Sequence, residues 1–451
     1  MADLNAVVKA YDIRGTVPDQ LDENLARALG VAFASFSSAS SVVVAHDMRP
    51  SGPGLLAAFE SGLTSMGVDV VNLGLASTDL LYFASGRLDV PGAMFTASHN
   101  PAQYNGIKCC LSGARSIGID NGLREIRDIA RDILDGTFAY PTVAREGTVT
   151  RRNMLGDFVD HVVSFIDTST LSPLRIVADT ANGMGGLVVP AVFERLAPFS
   201  LEVMYGELDG TFPNHPADPI QPVNQRDLQA RVLAGGFDVG LAFDGDADRV
   251  FLVDEKGRTM SGSTTTALLA SIFLRTHPGS TILYNLICSR AVPEVIAENG
   301  GTGIRTKNGH SYMKQVMAET GAVFAGEHSG HYYFRDNYRA DSGLIASMVI
   351  LGEMARTGKS LSELRAPFER YASSGEINTE VDDMPGVIAR IAAKFADHTQ
   401  DRLDGLTVDC GAWWFNVRPS NTEPLLRLNL EAPSREECDT HVAELLTLIT
   451  A

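Results

Sequence analysis

Four short polar segments hold the residues of this sequence that are equipped for chemistry. The first is Thr96-Ala97-Ser98-His99-Asn100-Pro101, which follows a short apolar run. A serine at such a strand-to-loop turn is accessible as a nucleophile or phosphoryl carrier. It is not a hydrolase elbow, because Gly-x-Ser-x-Gly is missing around it. Taken alone the segment reads equally as a Ser/Asn turn before a proline, and Asn105-Gly106-Ile107-Lys108 downstream adds a turn and a cation without deciding the matter. The second is Asp244-Gly245-Asp246-Ala247-Asp248-Arg249, whose carboxylates alternate with the two smallest residues. Three hard oxygen ligands can converge there on one cation of the Mg²⁺ kind. Glu255 falls where an EF-hand places its last ligand, but Arg249 stands where that loop needs glycine, and the flanks read as strands. Without a cation the segment is a solvated acidic turn in which the carboxylates repel one another.

The third segment, Gly326-Glu327-His328-Ser329-Gly330-His331, sets a carboxylate, a hydroxyl and imidazoles between glycines, a set suited to sugar hydroxyls. A zinc site is a competing reading, although the helical His-Glu-x-x-His spacing is missing. The fourth, Arg418-Pro419-Ser420-Asn421-Thr422-Glu423-Pro424, places a guanidinium, two hydroxyls and an amide in one turn, as a phosphate cradle would. A proline-bounded hairpin turn explains the same residues structurally.

Alternating strands and helices must carry these segments. Short β-branched runs at Ser41–Ala45, Val68–Leu73, Met94–Thr96 and Ile107–Leu111 predict one α/β unit. Arg175–Ala178, Leu201–Tyr205 and Val239–Phe243 predict a second. Thr281–Leu286, Gly303–Thr306 and Ala322–Ala325 predict a third. The last stretch differs: a helix at Val387–Phe395, alternating runs at Ala412–Val417 and Leu425–Leu430, and a closing helix from Glu436 predict an α+β unit with an antiparallel sheet. Polar turns at Arg145-Glu146-Gly147 and Ser373-Ser374-Gly375 read as linkers. The expected units are 1–147 with Ser98, 148–249 with the aspartates, 250–372 with Glu327, and 373–451 with Arg418. The expected class is therefore three similar α/β domains with mixed, largely parallel sheets plus a C-terminal α+β domain.

Composition narrows the function classes. The chain has 451 residues, with 37 Lys and Arg against 55 Asp and Glu, a formal net charge of −18. Such a chain repels nucleic acid and anionic lipid, so an anionic ligand must be met by local arginines and lysines. No apolar run approaches the roughly 20 residues that span a bilayer. The opening residues have no basic flank followed by an apolar core, so no secretory leader is expected. Five cysteines without a Cys-x-x-Cys pair point to reduced thiols in a cytoplasm.

With the four segments in this order, the chain resembles the α-D-phosphohexomutase superfamily, in its phosphomannomutase/phosphoglucomutase branch. The resemblance extends to Lys9-Ala10-Tyr11-Asp12-Ile13-Arg14-Gly15, Asp179-Thr180-Ala181-Asn182-Gly183 and Phe212-Pro213-Asn214-His215-Pro216, and so covers essentially the whole chain. It implies four domains around a central cleft, each giving one loop. It implies that Ser98 is a phosphoserine whose phosphate holds one Mg²⁺ with Asp244, Asp246 and Asp248. Glu327, Ser329 and His331 would bind sugar hydroxyls, and Arg418, Ser420, Asn421 and Thr422 the non-reacting phosphate. Tyr11, Arg14, His99, Lys108, Arg249 and His310 match further active-site positions. Two departures stand out: Ala247 where glycine is usual, and Ile287 where relatives carry a sugar-contacting lysine, with Asn285 or Arg290 as replacements.

The implied activity interconverts mannose 6-phosphate and mannose 1-phosphate, and also glucose phosphates, through a hexose 1,6-bisphosphate, feeding nucleotide-sugar synthesis. The expected partners are hexose phosphates alone, with no nucleic acid or membrane, in a monomer or homodimer. His310 is the first candidate for general base because imidazole titrates near neutrality; Lys108 is the second. The rivals are a phosphoglucosamine mutase, a haloacid-dehalogenase-type phosphatase, whose motif Asp248-Arg249 does not fit, and a regulator that binds sugar phosphate without catalysis. Asn421 and His328 stand where the glucosamine branch usually has glycine and glutamine, which favours mannose and glucose.

Overall fold

The valine-rich run after Ser40 is flanked by helices on both faces and becomes the strand Ser41–His46, buried from Val42 to Ala45. In the computed structural model, which describes residues 3–420 and 425–450, this strand pairs in parallel with Asp69–Leu75 and Gly92–Phe95. Tyr104–Leu111 then runs antiparallel between Gly92–Phe95 and Ile13–Thr16. Such a mixed sheet is covered by helices, among them Glu23–Ser37, whose cap Asp22 accepts from Leu25 N–H. That helix packs backbone to backbone on Gly52–Ser65: a Cβ on Gly30 would fall 2.2 Å from the Phe59 carbonyl oxygen.

The second sheet centres on Leu174–Asp179 and Val239–Phe243 in parallel, with Phe199–Met204 on one side. On the other side Val250–Asp254 and Thr259–Met260 pair antiparallel. In the third, Thr281–Asn285 lies in parallel between Thr302–Thr306 and Phe324–Gly326, with Tyr332–Phe334 antiparallel at the edge. The fourth is wholly antiparallel, in the order Ala372–Glu380, Leu425–Ala432, Trp414–Pro419, Leu406–Asp409, Thr399–Asp401. The three mixed α/β sheets and the antiparallel C-terminal one are those the sequence predicts.

Two sheets continue past the expected limits of their units. Val149–Arg151 pairs with Asp69–Leu75, so the first sheet extends beyond residue 147. Val250–Asp254 completes the second sheet beyond residue 249, because the aspartate segment is the tight turn of a hairpin. The supposed linker Ser373-Ser374-Gly375 is also part of a strand. It forms a bulge in Ala372–Glu380, with the register shifting between Ser373 and Glu376 and Gly375 at φ +68°.

One continuous apolar cluster joins the first three units, running through Val43, Phe83, Phe158, Val188, Leu241, Ile282, Phe324 and Leu344. The last unit has its own core, built from Ile391, Phe415, Leu426, Leu428 and Leu445. Three units thus share one core, and the fourth, with a core of its own, meets the third through polar contacts such as Arg290–Asp409 and Arg305–Asp401. The apolar run Leu344–Leu351 lies in the buried helix Gly343–Thr357. Among the described residues no helix is long and apolar enough to cross a membrane. All five cysteines are free thiols.

Candidate active site

Ser98 sits just beyond Gly92–Phe95 in a left-handed conformation, φ +51°, and only 4% exposed. Its N–H donates to Thr96 Oγ1 (3.0 Å), and its hydroxyl donates to Asp244 Oδ2 (2.9 Å). His99 Nδ1 lies 3.2 Å from the hydroxyl, and Arg249 Nη2 lies 3.5 Å away. The serine loop and the aspartate hairpin meet backbone to backbone: a Cβ on Gly245 would stand 2.4 Å from the Ser98 carbonyl oxygen. Ala247 has φ +61°, a conformation that costs an L-residue about 1–2 kcal/mol.

The loop is held from below by a residue the sequence reading missed. Arg49 is fully buried and uses every N–H it has. Nε donates to Asp47 Oδ2, Nη1 to the carbonyls of Pro101 and Tyr104, and Nη2 to those of Ser98 and Asn100. The signal for it is a charged pair, Asp47 and Arg49, set directly behind a buried valine strand.

Asp244, Asp246 and Asp248 are buried, and each offers one oxygen within 4.8 Å of the others'. Asp244 also accepts from Arg249 Nε (2.9 Å). Asp246 Oδ2 accepts from Thr78 Oγ1 (2.6 Å), and Lys108 Nζ bridges Asp246 Oδ2 and Asp248 Oδ2 at 2.7 Å each. Oδ1 of both Asp246 and Asp248 is buried without a hydrogen-bond donor. Burial pushes the Asp244 carboxyl well up, reinforced by Asp246 and Asp248 against the pull of Arg249. Three buried carboxylates converging within 4.8 Å, two of them with orphaned oxygens, fit a divalent cation. Burial alone would lower the Lys108 ammonium, but Asp246 and Asp248 hold it well above its ordinary range.

The Glu327 segment joins this cluster through backbone pairing of Arg249 with His331. Ser329 Oγ donates to Glu327 Oε2 (2.9 Å) and lies 3.1 Å from His331 Nδ1; His331 Nε2 stands 3.7 Å from Asp248 and 3.9 Å from Asp341. Glu327 Oε1 is buried and unpartnered, and burial raises its carboxyl. Tyr11 spans two units by donating to the Asn308 carbonyl (2.9 Å), with its ring 5.8 Å from His310; burial lifts its phenol to about 12. Arg14 pairs with Asp12 and donates to Asn100 Oδ1 (2.6 Å).

His310 opens the helix His310–Thr320 with Nδ1 buried and unpartnered. Burial and then the charge of Lys314, which pairs with Asp341 at 2.9 Å, hold its imidazole well below neutrality. The expectation that it titrates near neutrality is therefore corrected. His99 is lowered in the same way, by burial and then Arg249 and Arg14. Asn285 is spent internally, donating to Asn308 and accepting from His328 N–H. Arg290 reaches instead to Asp409 (2.6 Å) and to the carbonyls of Gly411 and Trp413 in the last unit. Neither stands in for a lysine at Ile287.

In the fourth segment Arg418 Nη2 meets Glu376 Oε2 at 2.9 Å, and Ser420 Oγ accepts from Arg427 Nη2 (3.3 Å). Asn421 and Thr422 lie outside the described residues. Arg305 pairs with Asp401, and Asn308 donates to Asp404 Oδ2 (3.4 Å), so the last unit is docked on the third beside Tyr11 and His310.

Hydroxyl, carboxylate cluster and paired cations around one cleft form a phosphoryl-transfer architecture. Comparison with known proteins is specific. The phosphoglucomutase/phosphomannomutase alpha/beta/alpha domains I, II and III match residues 5–135, 156–257 and 261–371, and the C-terminal domain matches 376–448. The chain belongs to the phosphoglucomutase/phosphomannomutase family. It is 40% identical over 428 residues to the phosphohexose mutases of Xanthomonas campestris pv. campestris, covering 94% of each chain. It is 37% identical over 450 residues to the phosphomannomutase of Escherichia coli strain K12, covering 98% of each. Its structure superposes on a family member from Burkholderia thailandensis with a TM-score of 0.89 at 32% identity, covering 100% of this chain and 98% of that one.

Proposed function

We propose that this chain is a phosphohexomutase that interconverts mannose 6-phosphate and mannose 1-phosphate, accepts glucose phosphates, and handles glucosamine phosphates poorly. Ser98 carries the phosphoryl group. The Ser98 O–P bond breaks as the sugar hydroxyl oxygen forms its own bond to phosphorus, giving a hexose 1,6-bisphosphate. That intermediate turns over in the cleft and returns its other phosphate to Ser98. The observation that carries this reading is the Ser98 hydroxyl 2.9 Å from Asp244, beside Arg249 and two donorless carboxylate oxygens.

Asp244, Asp246, Asp248 and the phosphorylated Ser98 would hold one Mg²⁺, which neutralises charge on the transferring group. Lys108 and Arg249 stay cationic and add to that stabilisation. His310, uncharged with an open Nδ1, accepts the proton of the attacking hydroxyl; Lys108, held protonated by two carboxylates, does not. Glu327, Ser329 and His331 grip sugar hydroxyls, while Arg418, Ser420, Asn421 and Thr422 take the other phosphate. Tyr11, Arg14 and His99 line the cleft between them. We place the enzyme in the cytoplasm, as a monomer or homodimer.

Intact-mass and peptide mapping test the carrier. Phosphate on Ser98 and near-complete loss of turnover in Ser98→Ala are expected. Phosphate on another residue, or a near-normal rate in that variant, overturns the assignment.

A further inference from the structure

The arginine proposed for phosphate is already held by a carboxylate of its own chain. Glu376 stands one residue past Gly375, at the bulge in the edge strand of the last unit's sheet. Its oxygens divide between two guanidinium groups: Oε2 lies 2.9 Å from Arg418 Nη2, and Oε1 lies 3.1 Å from Arg427 Nη1. Arg427 in turn reaches Ser420 Oγ, so the carboxylate links Arg418 of the fourth segment to Arg427 on the strand that follows it. Arg418 Nε, meanwhile, is buried and makes no hydrogen bond. Glu376 meets Nη2 end-on with Oε2 and turns Oε1 to Arg427, and in this arrangement Nε is left without an acceptor. A phosphate monoester brings three acceptor oxygens and nearly two negative charges, so it satisfies the same two arginines and has an oxygen to spare for Nε.

We propose that Glu376 is an internal stand-in for the phosphate: it keeps Arg418 and Arg427 paired in the empty site and is displaced when phosphate binds. The inference rests on the mutase reading, and it gives that reading an affinity-setting residue. The measured affinity for phosphate is then the difference between two anions competing for the same arginines. A mutase gains from this, because its bisphosphate must leave the cradle and re-enter by its other end. A site that bound phosphate without a competitor would hold the intermediate too long. Glu376 closes over the arginines as each phosphate departs.

If Glu376 served only to orient the arginines, removing its charge would weaken phosphate binding. The competitor reading requires the opposite sign. Calorimetry decides between them in full-length protein carrying Ser98→Ala, with inorganic phosphate and then mannose 1-phosphate as probes. Glu376→Gln is expected to tighten both by about tenfold, the scale of one partly exposed charge-assisted contact. Glu376→Asp, too short to fork both arginines, should tighten them less and keeps the test alive should the amide variant fold poorly. In the active enzyme, Glu376→Gln should lower KM and kcat together, because release slows. Unchanged or weaker binding in both variants overturns the proposal. Absence of turnover by the unaltered protein with every hexose phosphate would sink the mutase reading, while the binding comparison would still decide the role of Glu376. Phosphate affinity indifferent to Arg418→Ala overturns both.

Discussion

Replacing Arg49 by lysine isolates how much of catalysis is the aim of one hydroxyl. Arg49 contacts the serine loop through its backbone and none of the side chains proposed to bind sugar or phosphate. It supplies five hydrogen bonds, four to the carbonyls of Ser98, Asn100, Pro101 and Tyr104 and one to the buried Asp47. Lysine keeps the charge beside Asp47, but it has three donors and no planar fork. At least two of the four carbonyls lose their partner. With hydrogen bonds to charged groups contributing about 1.5–3 kcal/mol each, and water replacing part of that, Arg49→Lys should destabilise the loop by about 3 kcal/mol. The loop is where the loss is felt, because the Ser98 backbone at φ +51° is held by the Thr96 contact and by this clamp. Relaxation of that backbone swings the hydroxyl away from Asp244. A displacement near 1 Å costs about 100-fold in rate when the reacting groups must be in line. The expected result is kcat down about 100-fold, with KM within threefold because the residues proposed to bind sugar and phosphate are untouched. Steady-state kinetics read the split, and stoichiometry of phosphate on Ser98 reads the aim independently. A variant with ordinary kcat and full phosphorylation would refute the claim that Arg49 positions the nucleophile. Arg49→Ala is a poorer probe: Asp47, which burial already raises, would stand without its counter-ion, and the protein is expected to fold badly.

Asp79 accepts from Ser77 and Ser342, tying the first unit to the third, and burial pushes its carboxyl from 3.8 up to about 7. The folded chain therefore keeps a proton that the unfolded chain releases, so stability falls as pH rises from about 4 to 7 and the deficit persists above it. Asp79→Asn should raise the melting temperature more at about pH 8 than at about pH 5; equal shifts contradict the burial argument. Mg²⁺ should raise the melting temperature of the metal-stripped protein, by about 2.7 kcal/mol of stability at a hundredfold excess over Kd, and Asp246→Asn should largely remove the effect. Thermal scans with and without chelator check this. Arg290→Ala removes an ion pair and two carbonyl contacts between the third and last units. With about 1 kcal/mol expected of such a partly exposed pair, KM should rise about fivefold while kcat stays within twofold.

Local periodicity made the strands legible. Val239–Phe243 is buried at every position, so its apolar run is continuous and bounded by polar residues. The aspartate hairpin was harder to partition, because a unit that ends on a tight turn looks like a unit that has ended; only pairing shows that Val250–Asp254 belongs with Val239–Phe243. Ser373-Ser374-Gly375 reads as a linker for a related reason, since a bulge uses the small and glycine residues that a linker also uses. The groups around Ser98 were legible as types in order, but the clamp beneath it was not. Arg49 and Ser98 lie 49 positions apart, and no local pattern announces that one side chain will meet four distant carbonyls. Protonation states were illegible too: His310 is lowered by burial and by Lys314, a charge one helical turn along whose own partner, Asp341, comes from elsewhere in the fold.

The most direct test of the account follows the sugar phosphate itself. Purified protein with Mg²⁺ and a trace of hexose 1,6-bisphosphate should convert mannose 1-phosphate to mannose 6-phosphate. Glucose 1-phosphate should be turned over with kcat/KM lower by about 10–100-fold, the discrimination expected for one hydroxyl's orientation, and glucosamine 1-phosphate slower still. No conversion of any of the three, or a clear preference for glucosamine 1-phosphate, would contradict it.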